Sequence, residues 1–341
     1  MTEVSAVIPT RNRPKQLRNI LLSLANQTFC AKEIIVVDAS DDCSYQADLR
    51  KEFHALPLTW IMTRPSVCVQ RNIGIRKASQ SWIFLCDDDI RLPPEYLGIL
   101  VEYTRQNSKC GVVAGRLLQR EGDRWVDQYP VTRFYDLARR FIFQQAVWGD
   151  IDSVKVPLFI KPFYFLMKRF YRSRGNSDSW AGWPLVTHWA DEVFQTKFYS
   201  LGANLIRKDW LILSPYDEVL DAGGIGDNYG VAMGFPGDKP IHVLSATKAY
   251  HDLATENRRA KPIVHFRRIL ALHYFLKRNR PSLLTSLIFL WSLFGNAVFY
   301  FLKNDRTLAG ANIHALGLIL TGRNPYWRAH RAHQKVVEPV L

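Results

Sequence analysis

The first hundred residues switch repeatedly between two hydrophobic spacings. Residues 4–8 form a short apolar run closed by Pro9, which predicts a strand. From Pro14 the apolar positions Leu17, Ile20, Leu21, Leu24 and Ala25 fall on one helical face. Residues 33–37 (EIIVV) are a continuous apolar, β-branched run, the pattern of a strand buried on both faces. Further runs predict a strand at 58–62, a helix over 67–78, a strand at 82–86, a helix from Pro94 to Gln106 and a strand over 111–117. Strand and helix in alternation predict an α/β chain with a mostly parallel sheet and right-handed crossovers.

The pattern breaks up between residues 129 and 187. Aromatic and basic residues crowd this stretch (RFYDLARRFIF, FIKPFYFLMKRFYRSR), interrupted by a polar segment at 175–179. Two readings stand: a helical insertion with a buried aromatic face, or a basic, aromatic surface lying at a membrane interface. The C-terminal part changes character again. Eight Arg and Lys lie between Arg258 and Arg280, and residues 282–302 follow without a charge. A helix of that length, at about 1.5 Å per residue, could cross a bilayer core of about 30 Å. Gly295, Asn296 and several Ser and Thr dilute it, so a buried core helix is the other reading. The denser basic flank precedes the segment, which by the positive-inside rule keeps the preceding domain cytosolic. A basic tail (Arg323, Arg328, Arg331, Lys335) suits an in-plane helix better than a single-pass crossing. The expected division is a domain over 1–255, with 129–187 as an insertion, and a helical membrane-association region over 256–341.

Composition sharpens the choice of partner. A chain of 341 residues with 48% hydrophobic and 22% charged residues is globular. Its net charge of +14 calls for nucleic acid, an anionic membrane or phosphorylated substrates. The basic excess clusters beside the apolar segment and no nucleic-acid motif appears, so nucleic acid is not expected. Five scattered cysteines without a C-x-x-C pair read as isolated thiols in a reducing compartment. The N-terminus runs straight into a strand pattern, so no signal peptide is expected, and the protein is expected at the cytoplasmic face of the plasma (inner) membrane.

The candidate chemistry starts with Asp87-Asp88-Asp89, which follow the predicted strand at 82–86. At the C-terminal edge of an α/β sheet, where ligands bind, packed carboxylates call for a hard divalent cation. A solvated acidic turn before Pro93-Pro94 is the alternative. Pro9 and Thr10 end the first predicted strand at the same edge, and Asp38 ends the second. Arg71 and Asn72 sit on the helix before the aspartates, where a guanidinium can clasp a diphosphate.

The segments VIPTRNRPKQLRNILLSLANQ, EIIVVDASDD and RNIGIRKASQSWIFLCDDD resemble the nucleotide-binding half of family 2 glycosyltransferases of GT-A fold. LGANLIRKDW, YDEVLDAGGIGDNYG and AYHDLA resemble the acceptor half of the same family, and the set covers roughly residues 4–255 in the family's order. The resemblance implies a Rossmann-like sheet and a nucleotide-sugar donor. It implies that Asp38 binds the donor's base or ribose (its other reading is a turn residue before Ser40) and that Arg71 binds the diphosphate. It makes Asp89 a ligand of Mg²⁺ or Mn²⁺, with Asp87 serving the ribose or a metal-bound water and Asp88 between them. Gly202, Ala203 and Asn204 match the stretch that cups the donor sugar, and His251 matches a third metal ligand. Asp227 matches the general base, although Gly226 stands where the family carries a first acid; Asp217 and Asp221 are fallback bases.

The implied function is inverting transfer of one sugar to an acceptor hydroxyl, on a saccharide or lipid-linked acceptor of surface-polysaccharide assembly. No Q-x-x-R-W motif of processive synthases follows. A metal-dependent nucleotidyltransferase and a non-catalytic basic membrane-binding protein are the alternatives.

Overall fold

The computed structural model describes residues 2–252 and 259–341. The expected boundary at 255/256 and Arg258 therefore lie outside the described residues. The strands are β1 (Val4–Thr10), β2 (Glu33–Asp38), β3 (Leu58–Met62), β4 (Trp82–Cys86), β5 (Ile90–Arg91), β6 (Val112–Glu121), β7 (Arg124–Val126), β8 (Val147–Trp148), β9 (Leu185–Val186), β10 (Val193–Thr196), β11 (Ala203–Arg207) and β12 (Ile241–His251). The helices are α1 (Pro14–Ala25), α2 (Gln46–Glu52), α3 (Val67–Lys77), α4 (Tyr96–Gln106), α5 (Phe134–Ile142), α6 (Lys161–Arg174), α7 (Lys208–Leu213), α8 (Asp227–Gly234), α9 (Lys261–Arg278), α10 (Leu283–Leu302), α11 (Arg306–Leu320) and α12 (Pro325–Arg331).

The main sheet runs β10-β12-β6-β11-β4-β1-β2-β3, with β5 beside β12 and β7 beside β6. β1, β2, β3 and β4 are parallel, as are β6 and β12, whereas β11 and β10 run antiparallel to their neighbours. This is the mixed, mostly parallel α/β sheet that the alternating pattern predicts. All seven residues of β1 are buried, as expected for a central strand covered on both faces.

Pro9 does not close its strand. It pairs with Val37 inside β1, while β4 accompanies β1 only through Val7. Past that point β1 has lost its neighbour on one side, and a residue without an N–H is tolerated there. The early departure of β4 also opens a crevice between the C-terminal ends of β1 and β4. The aspartates emerge into it.

Residues 129–187 form the helices α5 and α6 around a small core of their own, built from Leu137, Val147, Met167, Tyr171 and Leu185. Part of the aromatic face is thus buried, as the first reading expects. Leu158, Phe159, Phe165 and Leu166 remain exposed, in keeping with the second. The C-terminal helices are not a detached unit. Phe266, Leu270, Phe275, Phe289, Leu293, Ala315 and Tyr326 join the same hydrophobic core as the sheet.

Candidate active site

A cleft of about 760 Å³ opens at the C-terminal ends of β1 and β4. Its walls carry Thr10, Arg13, Arg71, all three aspartates 87–89, Asp227 and His251. Residues far apart in sequence meet here because strand ends and helix starts are stacked at one sheet edge.

The three aspartates point in different directions. Asp88 is 3% exposed and accepts from Thr10 Oγ1 at 2.8 Å and from Arg13 Nη1 at 2.9 Å. Burial pushes its carboxyl up to about 7, although Arg13 opposes the shift. Asp88 therefore ties β1 to the aspartate turn, a larger part than the sequence assigns it. Asp87 turns to Arg71, whose Nη2 donates to it at 2.6 Å, and its backbone N–H donates to the Gly202 carbonyl at 2.8 Å. Asp89 faces His251 Nε2 at 3.0 Å and Arg13 at 3.5 Å. The pairing of His251 with Ile90 across β12 and β5 brings the imidazole there.

Among the described residues no three His, Cys, Asp or Glu side chains converge as metal ligands. Asp87 and Asp88 turn to arginines, while Asp89, also within 3.5 Å of Arg13, and His251 face each other. One carboxylate and one imidazole are a donor set compatible with Mn²⁺ or Mg²⁺, provided that the substrate's own oxygens complete the shell.

Arg71 departs from its expected place. Its two terminal nitrogens donate to Asp87 and to Asp227, and its guanidinium lies 4.9 Å from the Tyr216 ring centre. Burial disfavours its charge, yet Asp87 and Asp227 raise its pKa overall. With both ends of its fork occupied, Arg71 is a bridge between two carboxylates rather than an open clasp for diphosphate. Asn72 points away from the cleft; its amide donates to the Tyr216 carbonyl at 2.8 Å and to Glu218, and its oxygen accepts from Tyr216 N.

Asp38 also departs from expectation. It is fully buried, and its oxygens accept from Ser40 N, Tyr45 Oη, Gln46 Nε2 and Trp60 Nε1. It shapes the loop after β2 and does not line the cleft. Of the sugar-cupping stretch, Gly202 reaches the site: a Cβ on it would lie 2.2 Å from Asp87 Oδ2. Ala203 and Asn204 lie in β11, buried between β4 and β6.

Asp227 opens α8 after a turn in which Gly224 and Gly226 both have positive φ. A side chain at Gly226 would also strike Ala271, at 2.7 Å from its Cβ. That is the physical reason an acid does not fit there, and Asp227 is left alone in the turn. It is 7% exposed, and burial pushes its carboxyl up to about 6 against the pull of Arg71. The fallback bases do not compete. Asp221 is fully buried against Arg267 and Tyr326, and Asp217 is held by Tyr274 and Arg278; neither lines the cleft.

Several lining residues were not singled out from sequence: Arg13, Gln70, Asn228, Arg259 and Arg268. Gln70 Nε2 donates to the carbonyls of Thr10 and Val37, bracing the ends of β1 and β2. Arg13 had a usable signal, a basic Arg-Asn-Arg run directly after a strand at the ligand edge.

The glycosyl transferase family 2 model matches residues 5–159. An uncharacterized glycosyltransferase of Haemophilus influenzae is 26% identical over 164 residues, covering 46% of this chain and 54% of the relative. Poly(ribitol-phosphate) beta-N-acetylglucosaminyltransferase TarP of Staphylococcus aureus is 27% identical over 113 residues, covering 32% of this chain and 35% of TarP. The chain therefore spans about half and about a third of the lengths of these relatives. Among solved structures, residues 1–349 of S. aureus TarS align with a TM-score of 0.52 at 16% identity, covering 98% of this chain and 92% of that one. GalNAc-T7, crystallised with UDP, GalNAc and Mn²⁺, aligns with a TM-score of 0.55 at 14% identity, covering 83% of this chain and 51% of that one. These likenesses share the GT-A fold. The glycosyl transferase family 2 model thus matches the first part of the chain, and the chain as a whole is built on the GT-A fold of these structures.

Proposed function

We propose that the protein transfers one sugar from a nucleotide-diphospho-sugar to an acceptor hydroxyl with inversion at the anomeric carbon. The observation that carries this reading is the placement of Asp227. It is a buried carboxylate whose pKa stands at about 6, and it shares one cleft with the aspartate turn at the sheet's ligand edge. A base with that pKa is ionised at neutral pH and still accepts a proton effectively.

In this scheme the diphosphate lies beside Arg11, Arg13 and the Asp87–Asp89 turn, close to the backbone of Pro9 and Thr10. Asp89 and His251 would hold Mg²⁺ or Mn²⁺, which when bound supplies Lewis-acid stabilisation of the leaving diphosphate. Asp227 takes the proton of the acceptor hydroxyl. The oxygen attacks the anomeric carbon from the face opposite the diphosphate, the bond to the diphosphate breaks, and nucleoside diphosphate departs. Arg71 holds Asp87 and Asp227 in one arrangement and keeps the base ionised. Asp38 acts indirectly, by fixing Ser40 and Tyr45 after β2.

The acceptor belongs at a membrane surface, and the region after residue 255 is assigned to membrane association. Helix α10 has the length and mean hydropathy (1.6) of a membrane span, with 22% of its apolar window buried. Its exposed residues Leu284, Leu287, Trp291, Phe294, Val298 and Phe301 recur at helical spacing along one face. The opposite face packs on the protein through Phe289 and Leu293. A helix bound to its own domain along one side and apolar along the other fits in-plane insertion at the cytoplasmic leaflet. Such a position suits a lipid-linked saccharide acceptor; TarP, a relative, is named for action on poly(ribitol-phosphate).

The test is Asp227→Asn. The variant is expected to keep nucleotide-sugar affinity and to lose transfer by at least about 100-fold, as for removal of a general base. Near-normal transfer would move the base elsewhere.

A further inference from the structure

A second cavity, of about 440 Å³, lies beside the catalytic cleft, walled by α5, α9 and α10. Arg139, Arg140 and Arg268 line it, accompanied by one acid, Asp136. The bonds of Arg139 and Arg140 go to neutral acceptors, the Gln145 side-chain oxygen and the Ala146 carbonyl. The Arg139 guanidinium also lies 3.9 Å from the Phe299 ring centre. Three donors around this cavity are buried without an acceptor among the described residues: Nε of Arg139, Nε of Arg140 and Nε2 of Gln145. Gln145 is itself only 4% exposed. Burial, and then the neighbouring charge of Arg140, hold Arg139 below its ordinary pKa against the opposing pull of Asp136.

Buried donors are ordinarily satisfied. Three of them beside two arginines whose bonds go to neutral acceptors specify an anion with several acceptor oxygens. The cavity's position says what carries the anion. Arg268 lines both this cavity and the catalytic cleft. On the first turn of α8, Asp227 and Asn228 face the cleft while Tyr229 faces the second cavity. Asn296, Phe299 and Tyr300 of α10 close the far wall, and the other side of α10 bears the exposed apolar stripe.

We propose that this cavity binds the phosphate or diphosphate group of the acceptor, presenting the rest of the acceptor to Asp227. The assignment rests on the glycosyl-transfer reading and adds to it the acceptor's chemical class. Two sources carry such a group, a prenyl-type lipid phosphate and a water-soluble phosphoester.

The experiment is calorimetric titration of the full chain in EDTA and low salt with geranyl phosphate, glycerol 1-phosphate, geraniol and glycerol. Both phosphates are expected to bind, or geranyl phosphate alone, while the two alcohols do not. Arg139→Gln and Arg268→Gln are each expected to weaken that binding at least tenfold. Arg268 is exposed, so its replacement leaves the core intact. Geranyl phosphate well ahead of glycerol 1-phosphate identifies the lipid source, and equal affinities identify the soluble one. Alcohols binding as well as phosphates, or affinities unmoved by both substitutions, overturn the assignment. A protein that binds phosphate in this way but responds to no nucleotide sugar with Mn²⁺ leaves the cavity standing and refutes the donor reading instead.

Discussion

Replacing Arg71 with Met removes the cation that bridges Asp87 to Asp227 across the cleft. Arg71 is 7% exposed and bridges Asp87 at 2.6 Å and Asp227. Without it the buried Asp227 and the partly exposed Asp87 lose the counter-ion they share. Removing one partner of a buried ion pair costs about 3–5 kcal/mol of stability, because the remaining charge stays buried. The same change acts on the chemistry. The Asp227 carboxyl stands at about 6, raised by burial and held down by Arg71. An opposite charge at this range is worth roughly 1–3 pKa units. The sign follows directly: loss of the cation favours the protonated form, so the base ionises only at higher pH. In the wild type, kcat/KM should fall as pH drops below about 6. In Arg71→Met the acid limb should move up to roughly pH 7–9, with transfer at pH 7 reduced by between about twofold and about 100-fold according to where in that range it lands. Arg71→Lys should recover little, since a point charge cannot span both carboxylates. The assay is the pH profile of nucleoside diphosphate release together with thermal melting. An unmoved acid limb with an unchanged melting temperature would refute the bridge.

Two further substitutions test neighbouring parts. Gly202→Ala places a Cβ 2.2 Å from Asp87 Oδ2 and should push that carboxylate off Arg71, lowering turnover by roughly tenfold or more, the worth of one charge-assisted hydrogen bond. Gly310→Ala, whose Cβ meets open space, is the control, and equal activity in both variants would sink the contact's importance. Leu287→Gln with Phe294→Gln on the exposed face of α10 should reduce co-sedimentation with anionic vesicles by at least about 100-fold, given roughly 1.5–3 kcal/mol for each apolar side chain buried. Unchanged pelleting would shift the membrane contact to Phe165 and Leu166 of α6.

The parts of the fold legible in the sequence are those fixed by local pattern. β2 and β4 read as apolar runs because both faces are covered, and the aspartates follow β4 at the ligand edge as expected. What stayed hidden depends on partners distant in the chain. Asp38 looks like a ligand-facing acid until Tyr45 and Trp60 close over it. Arg71 looks like a free cation until Asp227 arrives from α8. Asp88 looks like a spacer until Thr10 and Arg13 are brought to it. Gly226 looks like a lost acid, and the reason for it is a left-handed turn packed on Ala271, which no local pattern reveals. In 129–187 the aromatic residues serve both a small core and an exposed face, so their spacing follows neither period cleanly.

The central claim is metal-dependent glycosyl transfer at the Asp89–Asp227 cleft. Its most direct test is to incubate the protein with Mn²⁺ and a panel of nucleotide sugars and to follow the phosphorus-containing product by ³¹P NMR. The account predicts nucleoside diphosphate, formed from one nucleotide class, abolished by EDTA and by Asp89→Asn. Release of inorganic diphosphate from a nucleoside triphosphate, or full activity in EDTA, would contradict it.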